Sequence, residues 1–253
     1  MDLYPRTGIV EWCDGRGSLA KSLCFGSGPQ SSKDDLLDFP EPVPDEIGSA
    51  LSVARFGEKH SKAKPWKREG PGVLEIVEDH RGDTYRAVYS VKFDQALYVL
   101  HAFQKKSPQG IKTAQTAWNW FREGSSRPAR ITRRDMANGK NSEAVVASSG
   151  NVFVDLGLRE AEEKQTRVRL AVAINQIIEA RHLSQTAAAR LLDINQPKIS
   201  ALVNYRLEGF SVERLMHFLN ALDRDVEIVI RKKPRSKRAA RIVVTGAQLS
   251  RVV

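Results

Sequence analysis

Cysteine is almost absent: Cys13 and Cys24 are the only two, and the five histidines lie far apart. A disulfide framework is therefore excluded, no zinc-ligand spacing exists, and a reducing cytoplasm is the natural compartment. No run is long or apolar enough to span a bilayer, and residues 1–20 lack the apolar core of a secretory leader. We expect a chain without membrane contact, metal or cofactor. Acidic residues are also in deficit, 30 against 40 Lys and Arg, leaving a net charge of +10. That balance favours a polyanionic partner, most simply nucleic acid. Arg231, Lys232, Lys233, Arg235, Lys237, Arg238 and Arg241 concentrate it near the end. Residues 232–253 read as a disordered, phosphate-seeking basic tail. With 253 residues there is room for one large domain or two small ones.

The most informative stretch runs from Leu183 to Leu202. Ser184 is a natural N-cap, Gln185 opens a helix, and Ala188, Ala189 and Leu192 share one of its faces. Asp193, Ile194 and Asn195 break that helix with residues that bond locally or tolerate a left-handed backbone. A second helix turns Ile199 and Leu202 inward. Small alanines at 188 and 189 permit the close approach that two steeply crossing helices need. The pattern is that of a helix-turn-helix. Gln185, Asn195, Gln196, Pro197, Lys198, Ser200, Asn204 and Arg206 are the polar and outward residues suited to base edges and phosphates.

Around it, Leu170, Ile174, Ile177 and Ile178 mark a long amphipathic helix, and Ser211 caps another carrying Leu215, Phe218, Leu219 and Leu222. Asp225 to Arg231 alternates like a strand. With Gly150 to Gly157 and Gly209 to Leu215, this run resembles the HigA-type antitoxins of the Cro/repressor-like (XRE) regulators. The resemblance implies operator DNA as partner, autorepression, and a homodimer formed through this half. Asp193 stands where such turns usually carry glycine.

Residues 33–106 have another texture. Lys33 to Phe39 and Val43 to Phe56 read as helices, the second with Val43, Ile47, Leu51 and Ala54 inward. Gly72 to Glu78, Thr84 to Phe93 and Ala96 to Gln104 read as a strand meander, with Leu23 to Gly26 as a first strand at the sheet edge. With Gly72 to Ile76, Tyr85 to Tyr89 and Tyr98 to Lys106, this half resembles the phage-derived branch of the RelE/HigB toxins, which cleave messenger RNA on the ribosome. Such cleavage needs a proton acceptor for the 2′-hydroxyl, cations for the phosphorane charge and an acid for the leaving oxygen. The resemblance gives Arg86 the transition-state role. His101 is the near-neutral candidate for acid or base in the strands read here, and Lys105 and Lys106, which close its strand, are catalytic candidates with it. Lys64, Lys67 and Arg81 are candidates for the RNA backbone, and Tyr85, Tyr89 and Phe103 for base stacking.

Between the halves, Gly124 to Gly150 is rich in Ser, Arg, Asn and Gly without periodicity, as a linker is. Where the toxin family ends in an amphipathic helix, Ala117 to Phe121 appears instead. Codons for Trp-Asn-Trp-Phe, read one base earlier, encode an apolar residue followed by Glu-Leu-Val, which suits that helix. Met136 sits where a separate antitoxin would begin. A frameshift seam between adjacent genes accounts for both.

The expected architecture is α+β: a RelE-like domain of two helices and an antiparallel sheet, then an all-α helix-turn-helix domain with a C-terminal strand. We place a disordered extension at 1–22, the toxin-like domain at 23–116, linker and seam at 117–149, the antitoxin domain at 150–231 and the tail at 232–253. The function expected is a fused toxin–antitoxin protein whose toxin half is inhibited or inactive, with intramolecular or intermolecular contact between the halves. Two alternatives stay open: a plain regulator with an interaction or sensing domain, and an active RNA endonuclease restrained in cis. Deleting residues 232–253 should flatten the salt dependence of DNA binding by about 0.9 log units for each phosphate the tail neutralises. Titrations at several salt concentrations check this, and an unchanged slope would leave the tail without a role in binding.

Overall fold

Apolar residues alternating through Val73–His80 (β3) and Asp83–Ser90 (β4) pair these strands antiparallel, His80 opposite Asp83. Arg81 (φ 50°) and Gly82 (φ 86°) join them. Positive φ at both central residues is what a tight type I′ hairpin turn demands. The computed structural model describes residues 21–26, 32–66, 72–92, 96–105, 145–147, 149–230 and the single positions 232, 242 and 244. Ser22–Gly26 (β1), Ala63–Pro65 (β2), Ala96–Gln104 (β5) and Val145–Ala147 (β6) complete a sheet of order β2-β3-β4-β5-β1-β6. β1 is not at the edge as the sequence suggested. It runs parallel to β5, with β6 antiparallel on its other side. β6 arises from the segment read as linker, so the stretch before the second half returns to the first half's sheet.

The first helices are Ser32–Leu37 (α1) and Val43–Arg55 (α2). α2 begins with proline at its first turn, Asp45 and Glu46 near its positive end and Arg55 near its negative end. Val43, Ile47, Leu51 and Ala54 pack on Ile76, Ala87, Tyr89 and Leu97 of the sheet, as their spacing predicts. The opposite side of α2 is buried too. Val53 and Phe56 belong to a second core with Phe153, Ile174 and Ile177. The molecule is therefore layered as sheet, α2 and helical bundle.

That bundle comprises Val152–Asp155 (α3), Ala161–Ala180 (α4), Gln185–Leu191 (α5), Gln196–Val203 (α6) and Val212–Ala221 (α7). Asn151 caps α3 by accepting from the amides of Phe153 and Val154. α3 then staples the layers: Val152 and Leu156 enter the sheet core, Phe153 the helical core. Gly48 of α2 allows this. A Cβ there would sit 3.3 Å from Leu156 Cδ1 and 3.6 Å from the Phe153 ring.

Polar contacts reinforce the apolar seam. Lys164 Nζ donates to Asp45 at 2.6 Å, Ser52 Oγ to Gln165 at 3.2 Å, and Gln176 Nε2 to Glu58 at 3.2 Å. Arg55 donates to the Gly150 carbonyl at 2.7 Å and to that of Lys21 at 2.8 Å. Burial lowers the Arg55 pKa to about 10, which still leaves it charged at neutral pH. His60 is buried, and its Nδ1 accepts from the Lys62 amide at 3.2 Å. Its proton is thus on Nε2, which donates to the Tyr205 carbonyl at 3.3 Å.

The bundle's helices end alike. His182, Asp193, Tyr205 and Asp223 all adopt φ between 50° and 58°. The next amide in each case, from Leu183, Ile194, Arg206 or Arg224, donates to the carbonyl five residues back. This is the Schellman cap, built without glycine at four helix ends. Asp193 therefore takes the left-handed turn conformation expected of it. The C-terminal strand is not formed. Asp225–Ile230 is outside any helix or strand, and Ile228, Val229 and Ile230 are exposed. An alternating segment becomes a strand only against a partner, and no described strand pairs with this one.

Burial holds the His60 pKa below its ordinary value of 6.5. The folded chain keeps it neutral while the unfolded chain protonates it near 6.5, so stability is full above that value. It is lost as pH falls from there to the depressed folded value. Urea unfolding at pH 7 and pH 5 should show this loss, and His60→Asn should lose less. Identical pH dependence in the two proteins would remove His60 from the account.

Candidate nucleic-acid interfaces

α5 and α6 are held by buried Ala188, Ile199 and Leu202, with Ile194 wedged at the turn. Ser184 caps α5 by accepting from the Ala187 amide, and Asn195 caps α6 by accepting from that of Lys198, both at 3.1 Å. From α4, Asn175 Nδ2 donates to the Leu202 and Val203 carbonyls, closing the far end of α6. The helix is thus fixed at both ends and underneath.

Gln196, Pro197 and Arg206 are exposed; Lys198 and Ser200 are half-buried. Gln196 Nε2 donates to Gln185 Oε1 at 3.0 Å, so the first residues of α5 and α6 form one polar unit. Pro197, Ser200, Ala201, Arg206 and Glu208 line a shallow groove beside them. Asn204 is turned back, its Nδ2 donating to the Ser200 carbonyl of its own helix at 2.8 Å. The structure thus gathers the candidates on one end of the bundle, with Asn195 and Asn204 already engaged in holding α6.

In the sheet half, Lys64, Glu75, Val88 and His101 lie in register across β2, β3, β4 and β5. Arg86 and Phe103 form the neighbouring pair on the same face. A bulge places His101 there. The register shifts between Val88–His101 and Tyr89–Val99, leaving Leu100 as the extra residue. Without that insertion His101 would share the side of Leu97 and Val99, since one residue of slip exchanges the faces of a strand. Sequence alternation could not reveal this.

Neither principal residue is uncompensated. Arg86 Nη1 pairs with the Glu75 carboxylate, and His101 Nδ1 lies 2.8 Å from Asp35 Oδ2 of α1. Phe103 stacks on the His101 ring at 5.8 Å. Glu75 and Asp35 were not singled out from sequence, because one is an ordinary strand residue and the other lies on a separate helix. An arginine beside a carboxylate can take a phosphate only by exchanging it. A histidine whose Nδ1 faces a carboxylate is oriented to use Nε2.

The remaining candidates scatter. Lys64 is exposed on β2, Lys105 follows β5, and Arg81 is exposed at the tip of the β3–β4 hairpin. Tyr89 must be withdrawn as an RNA contact: it lies 1% exposed in the core beneath α2, on the side opposite Arg86. Tyr85 is buried on that same side. Lys67, Lys106 and the seam at 117–144 lie outside the described residues. No helix among the described residues is long and apolar enough to cross a membrane.

Gln196→Ala should weaken specific DNA binding by roughly 1–3 kcal/mol while sparing binding to random DNA. Competition assays with both DNAs decide it, and equal losses would contradict the placement of Gln196 at base edges.

A family model described as "Helix-turn-helix domain" matches residues 152–231, and one described as "Phage derived protein Gp49-like (DUF891)" matches residues 34–119. A solved structure described as an XRE family transcriptional regulator is 69% identical, with 99% of that chain and 35% of this one covered, at a TM-score of 0.34. No curated protein matches. Through its second half the chain belongs to the XRE family of helix-turn-helix regulators; its first half matches the Gp49-like phage-derived domain, and the pairing fits a fused toxin–antitoxin DNA-binding protein.

Proposed function

We propose that the chain is a cytoplasmic autorepressor that binds operator DNA as a homodimer and keeps its own messenger-RNA-cleaving half bound in cis. The observation that carries this reading is the two-sided burial of α2, with Val53 and Phe56 in the regulator's core. A toxin helix that completes the antitoxin's core is a toxin already bound.

The contact lies behind the sheet, away from Arg86 and His101. Restraint then acts by bulk, the attached bundle barring entry to the ribosome, while Glu75 of the same sheet holds the Arg86 guanidinium until a phosphate displaces it. Arg86 would stabilise the transition-state phosphate and His101 would move the proton, with Lys105 as a further catalytic cation and Lys64 along the RNA backbone.

The intact chain should leave growth unaffected when expressed. Val53→Glu with Phe56→Glu, which separates α2 from the bundle, should release cleavage of translated messenger RNA, and adding Arg86→Ala should abolish it. An arginine aimed at the transition-state phosphate supplies several kcal/mol and has no neutral substitute. Strong growth arrest by the unmodified chain would overturn restraint in cis. Cleavage that survives Arg86→Ala would overturn the assignment of Arg86.

A further inference from the structure

We propose that His60, a residue of the first half, is a positioning residue for operator recognition: it holds the backbone at the end of α6 from which Arg206 projects. The inference rests on the DNA-binding reading above and deepens it, since it makes the first half part of the reading apparatus.

A helix leaves its last carbonyls without intrahelical partners. At the end of α6 the Arg206 amide donates to the Ala201 carbonyl at 2.9 Å, and the Tyr205 amide to that of Leu202 at 3.0 Å. Asn175 of α4 covers the Leu202 and Val203 carbonyls from the side. The Tyr205 carbonyl is met from the other half of the chain, by His60 Nε2 at 3.3 Å. Tyr205 sits at φ 58°, and a bulky residue keeps that backbone only where its surroundings hold it. Its carbonyl and the Arg206 amide belong to one rigid peptide plane. His60 grips one edge of that plane and Ala201 the other, so together they set its tilt.

The gripping loop is itself firmly held. Phe56 is buried in the bundle core, and Gly57 (φ 80°) turns the chain off α2. The His60 ring accepts from the Lys62 amide, and the His60 carbonyl from the Ala63 amide at 2.9 Å. Lys62 Nζ donates to Glu46 of α2 at 2.6 Å. Glu58 accepts from Gln176, the neighbour of Asn175, so one loop engages both α6 and the turn of α4 that holds it. Arg206 is exposed beside Ser200 in the shallow groove. A side chain that reads DNA must be placed to within about 0.5 Å, which is the scale on which a tilted peptide plane matters.

Two amide substitutions, each imitating one ring nitrogen, test the proposal. His60→Gln keeps a donor within reach of the Tyr205 carbonyl, whereas His60→Asn places its amide where Nδ1 lies and falls short. Binding of the full chain is measured on the duplex of about 30 base pairs that the wild type enriches from a random pool, and on a scrambled duplex. His60→Asn should bind the selected duplex about tenfold more weakly, because losing one buried hydrogen bond lowers the competent population by about that factor. His60→Gln should stay within about threefold of the wild type, and all three should bind the scrambled duplex alike through phosphates. Hydrogen exchange at the Arg206 amide, read without DNA, should be about tenfold faster in His60→Asn than in the other two. Equal binding of the selected duplex by the two variants, or a loss shared by the scrambled duplex, would overturn the positioning role. Unchanged exchange at Arg206 would overturn it as well. A wild type that enriches no sequence would sink the DNA-binding reading, while exchange at Arg206 still decides whether His60 holds the helix end.

Discussion

Everything in this chain turns on α2 having no free side. A helix in a two-layer domain usually keeps a polar stripe for solvent. Here Gly48, Ser52 and Val53 are small or apolar on the side away from the sheet, and Phe153, Leu156, Gln165 and the second core close over them. Each large apolar side chain buried this way contributes about 1.5–3 kcal/mol, so the seam between the halves is of the same kind as the interior of either. The buried Arg55 guanidinium is matched, serving carbonyls before and after the seam, whereas Gln165 accepts from Ser52 and leaves its own Nε2 without a hydrogen bond. The two halves are one folded body even though two families describe them.

The helix-turn-helix was legible because its determinants are local. Ser184, Asn195 and Ser211 cap helices wherever the rest of the chain goes, and alanines at 188 and 189 declare a close crossing. Apolar spacing likewise marked the sheet side of α2 and the β3–β4 hairpin. What was not legible depends on distant partners. β6 is three residues long and is a strand only because β1 is beside it. Asp225–Ile230 carries a clearer strand pattern and is not one within a single copy. Pattern states what a segment can pair with, and topology states whether the partner is present.

The candidate RNA site was legible in its residue types and not in its state. Arg86 and His101 could be named from a resemblance, but their being on one face depends on the bulge at Leu100, which alternation cannot foresee. Their compensation by Glu75 and Asp35 is also a matter of register and packing. A polar residue in a strand is read from sequence as available, whereas the fold has already set a carboxylate beside each of these two.

The covalent tie between the halves changes the arithmetic of inhibition. Two separate proteins bind according to how much of each is present, so a shortfall of one frees the other. Here the ratio is fixed at one to one by the chain itself, and a tethered partner meets its site at an effective concentration on the order of millimolar. Dilution cannot separate them, and selective loss of one half requires a cut in the chain followed by the opening of a packed core. A free toxin half would then be the product of a committed event and not of a fluctuation in supply.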